Sequence, residues 1–142
     1  MMLRVITRAL LSAALVSGAA AQEDGAARLS LELNSAETVQ NSCRLTFVAE
    51  NTLPSDLSSV VFETVLFTQE GAVERLTLFD LQDLPLGRPR VRQFEVQGIT
   101  CDGLGRILIN GVNTCTGVDL DPGACLDALS LSSRLENLEV IG

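Results

Sequence analysis

Arg88, Arg90 and Arg92 stand at alternate positions in the run GRPRVR, three of the ten basic residues in a chain that carries 18 acidic ones. On an extended strand alternate residues share a face. Three guanidinium forks would then project together and could hold a carboxylate, a sulfate or an acidic protein surface through bidentate bonds. The same run also suits a solvated strand that offsets local acidity and discourages pairing with a foreign strand. These three arginines are the candidate binding residues.

Paired carboxylates come next. Asp80 with Asp83, or Glu70 with Glu74, could act as general acid and base in glycoside hydrolysis if their surroundings separate the two pKa values. An acidic composition produces such pairs by itself, so a carboxylate-dependent hydrolase is the remote alternative. Asp119-Leu120-Asp121-Pro122-Gly123 clusters oxygens of the kind calcium takes, but two carboxylates without EF-hand spacing read better as a turn. Gly103-Leu104-Gly105 lacks a third glycine in register and a following helix, so it reads as a turn and not as a dinucleotide fingerprint. The chain has no His and no Lys. Triads of the Ser-His-Asp, Ser-Lys and Cys-His kinds are therefore excluded. The expectation is a protein that is not an enzyme, with no metal and no cofactor.

The elements that must position these residues are short and apolar. In Cys43 to Glu50, Cys43, Leu45, Phe47 and Ala49 alternate with Arg44, Thr46, Val48 and Glu50, the period of a half-buried strand. Val60 to Thr68 is apolar on both parities, which suits an inner strand. Between them Asn51-Thr52-Leu53-Pro54-Ser55-Asp56 has the chemistry of a turn. Gln69-Glu70-Gly71 closes a tight connection into Val73 to Phe79, with Gly71 free to take positive φ. These three strands are expected to be antiparallel, at least locally. Leu29, Leu31 and Leu33 mark a first strand, with Ser35 to Ser42 as connection. Asp80 to Gly87 reads as an apolar loop, Val91 to Gln97 and Arg106 to Asn110 as strands, and Gly111 to Gly123 as loop. A helical turn is expected within Ala124 to Leu131, and a closing strand over Arg134 to Ile141.

At the start of the chain, a basic segment to Arg8, an apolar run from Ala9 to Gly18 and the small residues Ala19-Ala20-Ala21 compose a secretory signal peptide over residues 1–21. The apolar run is too short to span a bilayer, and no later stretch approaches about 20 apolar residues. Export by the general secretory route to the periplasm or the extracellular space is expected, with residues 22–142 as one domain. Loss of Arg4 and Arg8 with the leader makes the rest more acidic, a sign that repels nucleic acid and anionic lipid. Four cysteines without C-x-x-C spacing in an exported chain read as two disulfides.

About seven short strands separated by turn signals, with no long helix, predict an all-β fold: a single immunoglobulin-like antiparallel β-sandwich. A small barrel is the alternative. In such a sandwich the second and fifth strands run antiparallel as neighbours, which brings Cys43 near Cys101. Cys115 and Cys125 fall beyond the sixth strand, where a bridge would pin an excursion. Cys43 with Cys101 and Cys115 with Cys125 is one of three possible pairings.

The stretch from Cys43 to Gln97 resembles the FxLYD-type immunoglobulin-like domains of exported bacterial proteins. The residues that carry the likeness are Asn51, Leu66-Phe67-Thr68-Gln69-Glu70-Gly71, Leu84-Pro85-Leu86-Gly87 and Phe94. The resemblance implies a fold and transfers no catalytic residues. Together these readings predict a non-catalytic accessory or binding module whose partner is another envelope or secreted protein. A structural subunit of an envelope assembly is the alternative.

Overall fold

Among the described residues, eight strands build two four-stranded sheets that share one apolar core. They are β1 (Leu29–Val39), β2 (Ser42–Asn51), β3 (Leu57–Thr68), β4 (Val73–Leu84), β5 (Arg90–Gln97), β6 (Leu104–Gly117), β7 (Leu129–Ser133) and β8 (Glu139–Ile141). A 3-10 turn at Cys101–Gly103 precedes β6, and one helical turn, α1 (Ala124–Asp127), follows it. The structure is a computed structural model and describes residues 26, 28–121 and 123–142. The signal peptide assigned to residues 1–21 lies outside the described residues.

One sheet has the order β5-β2-β1-β7 and the other β4-β3-β6-β8. Strands β1, β2 and β5 in one sheet and β3 and β6 in the other follow the sheet assignment of an immunoglobulin sandwich, whereas β4 pairs with β3 and not with β5, where a constant-type domain has its fourth strand. Two pairings depart from the antiparallel expectation: β7 runs parallel to β1, and β8 parallel to β6. The expected closing strand over Arg134 to Ile141 is confined to Glu139–Ile141, and a further strand precedes it at Leu129–Ser133, partly where a helical turn is expected. Leu129–Ser133 joins the first and Glu139–Ile141 the second, which raises the strand count to eight.

Four further expectations need correction. Strands β2 and β3 are not neighbours, because the segment after Asn51 crosses from one sheet to the other; only β3 and β4 pair. Ser35 to Ser42 is not a connection, since β1 continues to Val39. A bulge between Leu33 and Ser35 shifts the parity there, so that Ala36 rather than Ser35 turns toward the core; a strand with such an inserted residue loses period-two alternation in sequence. Likewise, β4 runs through the expected loop to Leu84, and β6 runs to Gly117 so that Cys115 lies within it. In β4, Leu81 has no ladder partner because Gln82 pairs with Val60 and Asp80 with Val61. Gln82 takes φ 59° at that irregularity, and its N–H donates to the Asp80 carboxylate at 2.8 Å.

The core is built from the inward parity of each strand. Leu29, Leu31 and Leu33 of β1 lie beside Leu45, Phe47 and Ala49 of β2, and face Val60, Phe62 and Leu66 of β3 across the sandwich. Phe79 of β4 stacks on Phe94 of β5 with centroids 4.2 Å apart and planes 2° from parallel, and Phe47 meets both at 5.8 and 5.9 Å. These aromatics close the side of the sandwich where the edge strands of the two sheets meet. Such pairs add about 0.5–1.5 kcal/mol each beyond the area they bury.

Cys43 is bridged to Cys101 and Cys115 to Cys125, with Cα separations of 4.7 and 6.0 Å, as the sandwich layout predicts. The first bridge ties the start of β2 to the turn before β6. The second holds α1 against β6.

Candidate binding surface

The two outer faces of the sandwich differ in chemistry. On the β5-β2-β1-β7 sheet the outward positions include Arg44, Thr46, Glu32, Gln93 and Glu95. Arg44 forks onto Glu95 at 2.7 and 3.1 Å, a bond that raises the guanidinium pKa above its usual value. That face is polar apart from the pair Val48 and Val91.

The β4-β3-β6-β8 sheet turns apolar side chains outward. Its ladder aligns Leu76, Val65, Leu108 and Ile141 in one row across all four strands. Leu76 is 72% exposed and Leu78 54%, both on the outward parity of the edge strand β4, and Val73, 57% exposed, pairs with outward-facing Phe67 beyond a register shift. Val61 and Phe67 of β3 share the same face. A depression of about 250 Å³ lies among Leu76, Leu78, Val65 and Asn110, with Glu63 on its wall. Leu78 pairs across the strand with Glu63 on one side, and Gly111 pairs with Glu63 on the other.

The arginine cluster is divided by the fold. Arg90 and Arg92 lie on the same parity of β5 as Phe94 and the buried Val96, so they point toward the opposite sheet at the open edge and not away from the sandwich. Arg92 crosses that edge: Nε donates to the Leu81 carbonyl at 2.6 Å, one Nη donates to the Asp83 carbonyl at 2.9 Å, and the Asp83 carboxylate is 3.7 Å away. Its fork is thereby occupied by carbonyls on the free edge of β4. Arg90 is half-buried, and Arg88 is exposed in the loop between β4 and β5. The three do not form one cationic face.

That loop belongs to a cluster of connections at one end of the sandwich, organised by the buried Asn51. Its Oδ1 accepts from Leu53 N–H at 2.9 Å, and its Nδ2 donates to the carbonyls of Ser55 and Leu84, both at 2.9 Å. Asn51 O accepts from Gly87 N–H at 2.7 Å, and Asp56 accepts from Leu86 N–H at 2.7 Å. Ser55 Oγ reaches Val118 O at 3.3 Å, so the chain after β6 joins the same end. Leu86, Arg88 and Val118 on these connections are exposed.

The remaining sequence candidates have local tasks. Asp80 caps the Gln82 amide and Asp83 faces Arg92. Glu70 lies in the turn between β3 and β4, and Glu74 is 3.7 Å from Arg75. Asp119 and Asp121 are exposed, and the Asp121 carbonyl accepts from Ala124 N–H at 3.0 Å. Gly103 ends the 3-10 turn and Gly105 sits in β6 where a Cβ would come 2.7 Å from Thr68 O, so these glycines serve close backbone packing.

Charge clustering in the sequence points to the arginines and passes over Leu76, Leu78 and Glu63. The signal for the apolar face is present in β3, whose Val61, Val65 and Phe67 are apolar on the parity opposite Val60, Phe62 and Leu66. Read as an inner strand alone, β3 accounts for that pattern; its outward residues are also left without a covering layer among the described residues.

No family model, no curated protein and no solved structure matches this chain.

Proposed function

We propose that this protein is an exported, non-catalytic binding module that engages another protein through the outer face of the β4-β3-β6-β8 sheet. The observation that carries the reading is the apolar row Leu76, Val65, Leu108 and Ile141, exposed at both of its ends and running across all four strands, while the opposite face of the sandwich is polar apart from the pair Val48 and Val91. Scattered exposed leucines need no explanation, but a contiguous apolar patch rimmed by polar groups marks an interaction surface. Export is supported by the bridging of all four cysteines, since disulfides persist in oxidising compartments. Among the described residues no helix is long and apolar enough to cross a membrane.

The test is affinity capture from the envelope and culture fractions of the source organism, with the wild-type domain beside Leu76→Thr/Leu78→Thr. Threonine keeps strand propensity while removing most of the apolar surface. A protein retained by the wild type and lost by the double variant supports the reading. Equal retention by the wild type and a double variant of equal melting temperature removes it.

A further inference from the structure

Glu63 sits within the apolar outer face and has no ion-pair partner among the described residues. Its ladder neighbours are Leu78 and Gly111, and Val65 and Val61 flank it on the same face of β3. Gly111 leaves the carboxylate room to lie across β6: a Cβ at that position would be 3.2 Å from Glu63 Oε2. The ionic pair Arg106 with Glu139 on the same face is self-contained. It lies at the Phe67 level of the ladder, four residues along β3 and so about 13 Å away at 3.3 Å per residue.

We propose that Glu63 is the counter-ion for a Lys or Arg side chain presented by the partner protein, on a segment in which that cation is flanked by apolar residues. This rests on the reading of the apolar face as a binding surface and names the chemistry of its occupant. An apolar partner surface alone would desolvate the Glu63 carboxylate and leave it unpaired, which opposes binding. A cation opposite it removes that penalty and selects among apolar partners by charge. The depression beside Leu76 and Leu78 offers an apolar wall for the methylene stem of such a side chain, with the carboxylate at its rim for the head group. A second copy of this chain is the poorer occupant, because face-to-face pairing would bring the same carboxylates and an acidic net charge together.

A random peptide library displayed on phage and selected on the immobilised domain tests this. The expected result is a set of peptides with Lys or Arg between apolar residues, binding at least about tenfold more weakly to Glu63→Gln and to Leu76→Thr/Leu78→Thr. They should bind Arg88→Ala as they bind the wild type. Peptides that require Leu76 and Leu78 but bind Glu63→Gln unchanged overturn the counter-ion role while leaving the apolar face as the binding surface. If no peptide is selected, or all are indifferent to both variants, the cationic occupant and the face are both rejected. Equal melting temperatures of the three variants exclude misfolding as the source of any loss.

Discussion

The guanidinium of Arg92 on β5 donates to the backbone carbonyl of Leu81 on β4 at 2.6 Å, across the gap between the two sheets. An edge strand ordinarily leaves its carbonyls to water or to a foreign strand. Here a side chain of the opposite sheet occupies two of them, at Leu81 and Asp83, beside the stacked rings of Phe79 and Phe94. The Arg92 side chain is 15% exposed, so this staple is largely shielded from solvent.

Arg92→Ala should therefore lower stability by about 1.5–3 kcal/mol, the range for hydrogen bonds from charged donors. Arg92→Lys should recover only part of the loss, because one ammonium cannot reproduce a planar fork. Arg88→Ala, on an exposed loop, should change stability by less than about 0.5 kcal/mol. Urea titration of the three variants measures this. Equal losses at Arg88 and Arg92 would show that the staple contributes nothing.

Asn51 supports a second prediction. Its amide joins Leu53, Ser55 and Leu84, so Asn51→Ala would strand one amide N–H and two carbonyls at a buried position. A loss of about 2–4 kcal/mol is expected, larger than a typical single hydrogen bond because unsatisfied groups remain buried. Asn51→Asp adds a test of sign. Burial beside two carbonyls would raise the folded-state carboxyl pKa above its unfolded value, so the folded state takes up a proton more readily. The Asp variant should thus be less stable at pH 7 than Asn51→Ala and should regain stability as pH falls toward 4. Thermal melts across that interval decide it; a variant whose stability fell with acid would contradict the assigned bonds.

The same details show where sequence periodicity carries information. Strand β2 is legible because one face is buried without interruption and the other meets solvent, giving Cys43, Leu45, Phe47 and Ala49 at strict alternation. Strand β1 becomes illegible after Leu33, where an inserted residue moves the inward parity to Ala36. Strand β4 loses its signal at Leu81 for the same reason, and its last turn toward the core is taken by Leu84. β7 and β8 are too short to show a period, and their parallel partners are set by a crossing between sheets that no local pattern encodes. The cysteine pairing was legible because it depends only on strand order. The arginine cluster was visible as charge, yet the side to which Arg92 points depends on the parity that places Val96 in the core and on the closeness of β4.

The disulfides should differ in weight. Cys43 and Cys101 are 58 residues apart and Cys115 and Cys125 only 10. Loop entropy alone assigns them about 4 and about 3 kcal/mol respectively. Replacing Cys43 and Cys101 together by alanine should also empty part of the core, as Cys43 is fully buried. That double variant should therefore unfold at clearly lower urea than Cys115→Ala/Cys125→Ala. The second variant should keep the β4-β3-β6 ladder and show its loss in faster amide exchange around α1 and the chain after Gly117. Non-reducing peptide mapping of the wild type checks the pairing first; a Cys43–Cys115 or Cys43–Cys125 peptide would contradict the strand order.

Gly105 and Gly111 both lie on β6, and their surroundings predict opposite tolerance. A Cβ at Gly105 would come 2.7 Å from Thr68 O and 2.9 Å from Gln69 Cα, backbone atoms of β3 and the turn that follows it. Neither can retreat without disturbing the ladder, where Thr68 pairs with Leu104. Gly105→Ala should cost about 1–3 kcal/mol, the range for forced overpacking. At Gly111 the nearest atom is the flexible end of Glu63, at 3.2 Å. Gly111→Ala should fold with near-wild-type stability, since alanine also reduces the conformational entropy of the unfolded chain, while it displaces the Glu63 carboxylate. The two substitutions thus separate packing from recognition. Gly105→Ala is expected to lower the melting temperature and leave peptide selectivity unaltered in the molecules that remain folded. Gly111→Ala is expected to keep the melting temperature and weaken the preference for cationic peptides. The reverse pattern would mean that β6 approaches its neighbours differently from the register described above.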